Sequence, residues 1–233
     1  MPLDLSDTTI VFDLDGTLVD TAPDLTAATN HTLSLQGLAP ITVAELHPFI
    51  GHGSFVMIEA GLQFRGVSLD RDEIKHLHEH FLAYYADNIA VGSRPFDGIP
   101  ELLDHLLASG ARLGVCTNKL EGLSRTLLQA LSLATRFRAI AGGDTFPVRK
   151  PAAGHLTGAI EMAGGRQDRA VMVGDSEVDF AAARAAAVPA IGVTFGYTPR
   201  PVRELAPEFG VGAVIDHFDE FMPALERVFF ARR

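Results

Sequence analysis

Ile10-Val11-Phe12-Asp13-Leu14-Asp15-Gly16-Thr17 is an apolar run that ends in two carboxylates, a glycine and a threonine. From Thr9 to Phe12 the run is β-branched and aromatic and stops at turn residues, which predicts a short buried strand. Aspartate is disfavoured in strands, so two of them at this point ask for a reason. Side chains two residues apart on a strand share a side. Asp13 and Asp15 therefore converge if the strand continues. If the chain turns at Leu14, one side chain and one backbone carbonyl converge instead. Either arrangement gathers oxygens, the donors that hard cations such as Mg²⁺ take. A strand followed by an Asx turn explains the same letters, because Asp-Gly is a turn dipeptide. The pair alone leaves both readings open.

Working outward, the pattern after Thr17 becomes helical. Thr21-Ala22-Pro23-Asp24 predicts a helix start, with Thr21 as N-cap and a stop at Gly37. Further helices are expected over about 42–47 (ended by Pro48), 54–63 and 70–85, with a loop at Ile50-Gly51-His52-Gly53. Residues 20–91 thus read as an all-helical insert without a strand. From Arg94 the pattern alternates. Loop 95–98 precedes helix 99–109, and strands are expected at 112–116, 137–141, 170–173, 190–193 and 213–215. Helices are expected at 120–131, 152–162, 177–187 and 218–230. Near-continuous apolar strands separated by helices imply an α/β fold: a doubly wound, Rossmann-like parallel sheet covered on both faces. The core is expected from 1–19 and 92–233, with the helical cap, 20–91, inserted after the first strand.

Composition narrows the function. The 233 residues are 47% hydrophobic with 15 Phe, enough for a sizeable core. Net charge is -10, and the longest basic run is Arg232-Arg233. Nucleic acid and anionic membrane are therefore poor partners. Cys116 is the only cysteine, which fits a reducing compartment. The acidic start lacks a secretory pattern, and no apolar run approaches the ~20 residues of a membrane span. A cytoplasmic protein is expected.

The polar residues gather at strand ends, where ligands bind in doubly wound sheets. Asp13 and Asp15 follow the first strand, Thr117 and Asn118 the second, and Asp175 and Asp179 the fourth. Lys150, one of three lysines, precedes Pro151. Asp13-Leu14-Asp15-Gly16-Thr17, Thr117, Lys150 and Gly174-Asp175-Ser176-Glu177-Val178-Asp179 together resemble the four motifs of the haloacid dehalogenase-like phosphohydrolase superfamily. The resemblance covers essentially the whole chain. Taken singly, Thr117-Asn118 reads as a strand-end turn, Lys150 as a solvated lysine and Asp175-Ser176 as an N-cap.

The resemblance implies a Mg²⁺-dependent phosphatase acting on a small-molecule phosphate ester, as a monomer or homodimer. Asp13 would attack phosphorus and form an aspartyl-phosphate. Mg²⁺, held by Asp13, Asp175 and the Asp15 backbone carbonyl, would screen the repulsion between carboxylate and phosphate. Lys150 would add charge, and Thr117 and Asn118 would donate to phosphoryl oxygens. Asp15 would protonate the leaving alcohol and later take a proton from water. Asp179 would orient Lys150 or a water at the metal, with Ser176 beside it in the outer layer. The cap would close over the site, with His52 and Gly53 of its loop reaching the substrate; an exposed loop histidine is the plainer reading.

Finer features, Val19-Asp20-Thr21-Ala22-Pro23-Asp24-Leu25, Gly142-Gly143-Asp144 and Phe195-Gly196-Tyr197, resemble the phosphoglycolate phosphatase branch. Lys150-Pro151-Ala152-Ala153 departs from it, because that branch usually carries a second proline two residues after the first. Related caps serve sugar-phosphate phosphatases, pyrophosphatases and phosphomutases. The alternative from another class is a catalytically silent phosphate- or partner-binding protein. His76, His78 and His80 are expected on a cap surface, and Lys75 in solvent.

Overall fold

The computed structural model describes residues 4–230; the first three residues and the Arg232-Arg233 pair lie outside them. Six parallel strands form the main sheet: β1 (Thr9–Phe12), β4 (Arg112–Cys116), β5 (Ala139–Ala141), β6 (Ala170–Gly174), β7 (Ala190–Val193) and β8 (Ala213–Ile215). Their order is β5-β4-β1-β6-β7-β8. The chain builds outward from β1 on one side through β4 and β5, then returns to its other side at β6. Phe12 pairs with Val115 on one flank and with Val173 on the other. The strand order reverses at β1, so the loops after β1, β4 and β6 meet at the carboxyl edge.

Alternate side chains on the strands face two helical layers. Ile10, Phe12, Leu113, Val115, Val171 and Val173 pack in one cluster with α5 (Ile99–Ala108), α6 (Glu121–Ala130) and α10 (Phe221–Phe230). Val11, Cys116 and Met172 pack in another with α7 (Ala153–Met162), α8 (Glu177–Ala185) and α9 (Val202–Phe209). Cys116 is fully buried, and burial pushes its thiol up to about 12. No described helix is long and apolar enough to cross a membrane.

Between β1 and β4 lie α1 (Ala22–Leu35), α2 (Val43–Leu46), α3 (Ser54–Phe64) and α4 (Arg71–Asp87). Capping boxes start two of them, Thr42 with Glu45 and Asp70 with Glu73. Two short strands, β2 (Val19–Asp20) and β3 (Arg94–Pro95), pair antiparallel and bring the two ends of this helical segment side by side. The sequence pattern assigns Asp20 to the helical insert and Pro95 to a loop, because a two-residue strand has no readable periodicity. Buried Asp24 ties the same ends together. Its carboxylate accepts from the Gly92 and Ser93 N–H groups, both at 2.8 Å, and from the Ser93 hydroxyl at 2.6 Å. Asp24→Ala strands these donors and is expected to cost about 3 kcal/mol, read as a lower urea midpoint with an unchanged slope.

Three further elements differ from the sequence pattern. Helix α9 was not expected: the sequence pattern placed no element between the strands at 190–193 and 213–215. Pro201 in fact caps the helix, Gly210 ends it at φ 70°, and Val202 and Leu205 bury one face despite Pro207 inside. Strand β5 starts two residues late, behind a 3₁₀ turn at Ala134–Arg136. Pro48 lies within a 3₁₀ turn, His47–Phe49, instead of ending a helix.

Candidate active site

Asp13 extends β1 by one pairing, its N–H donating to the Val173 carbonyl at 2.8 Å. This seats its side chain at the strand-end crevice between β4 and β6. The chain then turns at Gly16, φ 84°; a Cβ there would lie 2.6 Å from Asp175 Oδ2. At Gly196 a Cβ would collide with the same carboxylate. The two glycines therefore hold open the space for Asp175. That carboxylate accepts from the Thr17 hydroxyl (3.1 Å) and the Tyr197 N–H (2.7 Å).

Lys150 links two acids. Its Nζ lies 2.8 Å from Asp13 Oδ1 and 2.6 Å from Asp179 Oδ1. The other Asp179 oxygen accepts from the Ser176 N–H and hydroxyl, closing a capping box at the start of α8. Asp13, Asp175 and Asp179 each place an oxygen within 4.8 Å of the others, and all three are buried. Burial raises the Asp13 carboxyl to about 7; Lys150 opposes this and the Asp179 and Asp15 charges add to it. Asp175 is raised well above the usual range by burial and then by the Asp179 and Asp13 charges. Three buried carboxylates facing one ammonium form an under-compensated oxygen-donor cluster. That chemistry fits a hard divalent cation such as Mg²⁺.

The Asp15 carboxylate stands outside this cluster. It accepts from Lys119 Nζ at 2.9 and 3.0 Å and from the Thr21 hydroxyl at 2.7 Å. Only its backbone carbonyl is left for the expected metal role. Thr21 occupies the N-cap position of α1, but its side chain makes no cap bond. The Tyr197 hydroxyl instead accepts from the Thr21 and Ala22 N–H groups and donates to Asp20 at 2.6 Å. Tyr197 thus joins the Asp175 loop to the entry of the helical segment. Burial disfavours the Lys119 ammonium, but the Asp15 and Tyr85 neighbours more than offset this and raise its affinity for the proton.

A cavity of about 260 Å³ opens over these groups. Asp13, Asp15, Thr117, Asn118, Lys119 and Lys150 line it from the sheet edge, and Gly51, His52, Gly53, Phe55, Met57 and Phe81 from the helical segment. His52 and Gly53 therefore reach the cavity, as do Thr117 and Asn118. Asn118 donates to the Lys150 carbonyl at 3.2 Å, and its Oδ1 is buried without a partner. His78 also lines the cavity rather than a solvent face. Its ring stacks on Phe55 and lies 2.7 Å from Ser54 Oγ. His76 and His80 remain on the exposed side with their Nε2 atoms 3.3 Å apart.

Lys119 and His155 were given no part in the site by the sequence, and Thr17 and Tyr197 were quoted only as motif members without a role. Lys119 adjoins Thr117-Asn118, and Tyr197 follows β7, so the strand-end rule marked both places. His155 carried no local signal. Its Nδ1 accepts the Lys150 N–H at 3.0 Å while Nε2 lies 2.9 Å from the Gly142 carbonyl. Accepting at Nδ1 requires the neutral ring, with its proton on Nε2 facing the Gly142 carbonyl. Burial, and then the Lys150 charge, lower its pKa from 6.5 to about 4. Because the folded value lies below the unfolded one, stability is present above about 6.5 and is lost as pH falls toward about 4. The native chain should lose roughly 3 kcal/mol more than His155→Gln across this window, measured by urea unfolding at each pH.

The family model described as haloacid dehalogenase-like hydrolase matches residues 10–193. A phosphoglycolate phosphatase of Agrobacterium fabrum is 50% identical over 215 residues, covering 92% of this chain and 91% of that protein. One from Caulobacter vibrioides is 42% identical over 213 residues, covering 91% and 90%. Among solved structures, a predicted phosphoglycolate phosphatase from Haemophilus somnus superposes with a TM-score of 0.85 at 28% identity, covering 94% of this chain and 97% of that one.

Proposed function

The chain belongs to the haloacid dehalogenase-like hydrolase family, and on that premise we propose that it is a Mg²⁺-dependent phosphatase whose substrate is 2-phosphoglycolate. The observation that carries this reading is the arrangement of Asp13, Lys150, Asp175 and Asp179 at one strand-end crevice, under a cavity that Asp15 also lines. The name shared by the relatives supports the choice of substrate.

Asp13 attacks phosphorus, the P–O bond to glycolate breaks, and an aspartyl-phosphate forms on Asp13. Asp15 gives a proton to the departing oxygen and then takes one from the water that attacks the phosphoenzyme. Lys150 neutralises charge beside Asp13, and Thr117 and Asn118 hold phosphoryl oxygens. Asp13 and Asp175, with Asp179 within reach, would hold Mg²⁺, which would supply the remaining positive charge. The helical segment, α1 to α4, serves as the cap. It contributes His52 and Gly53 to the substrate cavity and excludes water.

The test is phosphate release from a panel of monoesters, with Mg²⁺ and with chelator. Preferred turnover of 2-phosphoglycolate that stops on chelation supports the reading. Preference for a sugar phosphate or pyrophosphate replaces the substrate and keeps the chemistry. No release from any ester removes the phosphatase reading.

A further inference from the structure

We propose that Lys119, with the Tyr85 hydroxyl beside it, seats the carboxylate of the leaving group and makes this site selective for phosphate esters of small hydroxy acids. The inference rests on the reading of the site as a phosphatase in which Asp15 serves the leaving oxygen.

That reading fixes where the leaving group goes. Its ester oxygen must come within hydrogen-bond reach of the Asp15 carboxyl group. In 2-phosphoglycolate a single methylene separates that oxygen from a carboxylate. The second anion therefore arrives beside Asp15, itself an acid, in a chain of net charge -10. Only a cation already placed there makes this favourable. Lys150 is occupied by Asp13 and Asp179. Lys119 stands at the required point: its Nζ bonds both Asp15 oxygens, and its side chain is only 6% exposed while still lining the cavity. An ammonium carries three donors, so Lys119 can keep one bond to Asp15 and turn another toward the ligand.

Tyr85 adds an independent observation. It is 1% exposed and lines the cavity, and its hydroxyl has no hydrogen-bond partner of ordinary geometry. Lys119 Nζ sits 4.7 Å from the centre of its ring. Lys119 can only donate to that hydroxyl, so the Tyr85 proton is left without an acceptor, which is costly in a buried site unless something binds it. A ligand carboxylate at Lys119 would accept its proton. Arg149 also lines the cavity but is exposed, and it is the rival seat.

The experiment compares kcat/KM for 2-phosphoglycolate with that for 2-hydroxyethyl phosphate, which has a hydroxymethyl group in place of the carboxylate. Both esters need Asp15, so damage to Asp15 positioning cancels in the ratio. In Lys119→Met the preference for the carboxylate ester is expected to fall about tenfold to a hundredfold. Lys119→Arg should recover part of it, and Arg149→Gln should keep it. A folded Lys119→Met with the native ratio overturns the inference, as does a collapse in Arg149→Gln alone. If Lys119→Met does not fold, Tyr85→Phe carries the test: a ratio lowered severalfold supports the seat, and an unchanged ratio overturns it. A native enzyme that prefers a different hydroxy-acid phosphate, with that preference lost in Lys119→Met, would sink the 2-phosphoglycolate reading and leave this inference standing. A native enzyme indifferent to the carboxylate would sink the inference itself.

Discussion

Asp13→Asn should lower phosphate release from 2-phosphoglycolate by about 10⁴-fold or more while leaving the fold intact. The substitution keeps the volume and one oxygen, so the 2.8 Å contact with Lys150 Nζ can persist. What is lost, on the proposed reading, is the nucleophile. The amide also removes one of three crowded acid charges, and Asp13 already sits at about 7 because burial disfavours its ionised form. Thermal or urea stability should therefore stay level or rise. Steady-state release, paired with an unfolding curve, checks both halves. Release near the native rate would remove Asp13 as the attacking group, whatever the unfolding curve shows.

Lys150→Met should behave in the opposite way, losing activity and stability together. The ammonium is enclosed, with a side chain only 1% exposed, and it is bonded to both Asp13 and Asp179. Removing one partner of a buried charge network leaves the others uncompensated, at a cost of about 3–5 kcal/mol. Phosphate release should fall by about 10³-fold, because the charge beside the reacting phosphoryl group is gone. Added Mg²⁺ should restore part of the stability, since an ion that binds only the folded chain stabilises it by mass action. Urea unfolding with and without Mg²⁺ measures this. If Lys150→Met is as stable as the native chain without metal, the network does not hold this crevice together. If Mg²⁺ has no effect, the acid cluster is not its site.

The two variants separate functions that the sequence places in one motif set. On the proposed reading Asp13 carries the reaction, while its own burial works against the fold. Lys150 is needed for both. Its position depends on groups outside its own dipeptide: the nearby His155 ring at its N–H and the more distant Asn118 amide at its carbonyl.

The fold was largely legible because its signals are local. Apolar strands such as Thr9–Phe12 and Ala170–Gly174, and helices bounded by caps and glycines, follow from period, turn chemistry and strand burial. The motifs around Asp13, Thr117, Lys150 and Asp175 were legible for a related reason. The residue types that gather phosphate and Mg²⁺ are few, and the parallel α/β order sends their loops to one edge. Helix α9 escaped because burial of Val202 and Leu205 outweighs the proline signal around them. The β2–β3 pair escaped because two residues carry no period.

Sequence by itself determined the parallel α/β order, the helical insert and the strand-end acids, all of which depend on neighbours within a turn or two. Only the tertiary structure decided which acids share a cation and which stand apart. It set Asp179 against Lys150, gave Asp15 to Lys119 and Thr21, and placed Tyr197 between Asp175 and the entry to α1. Those pairings join residues up to 176 positions apart. At that separation, the choice among partners is made by burial and charge compensation in the packed crevice.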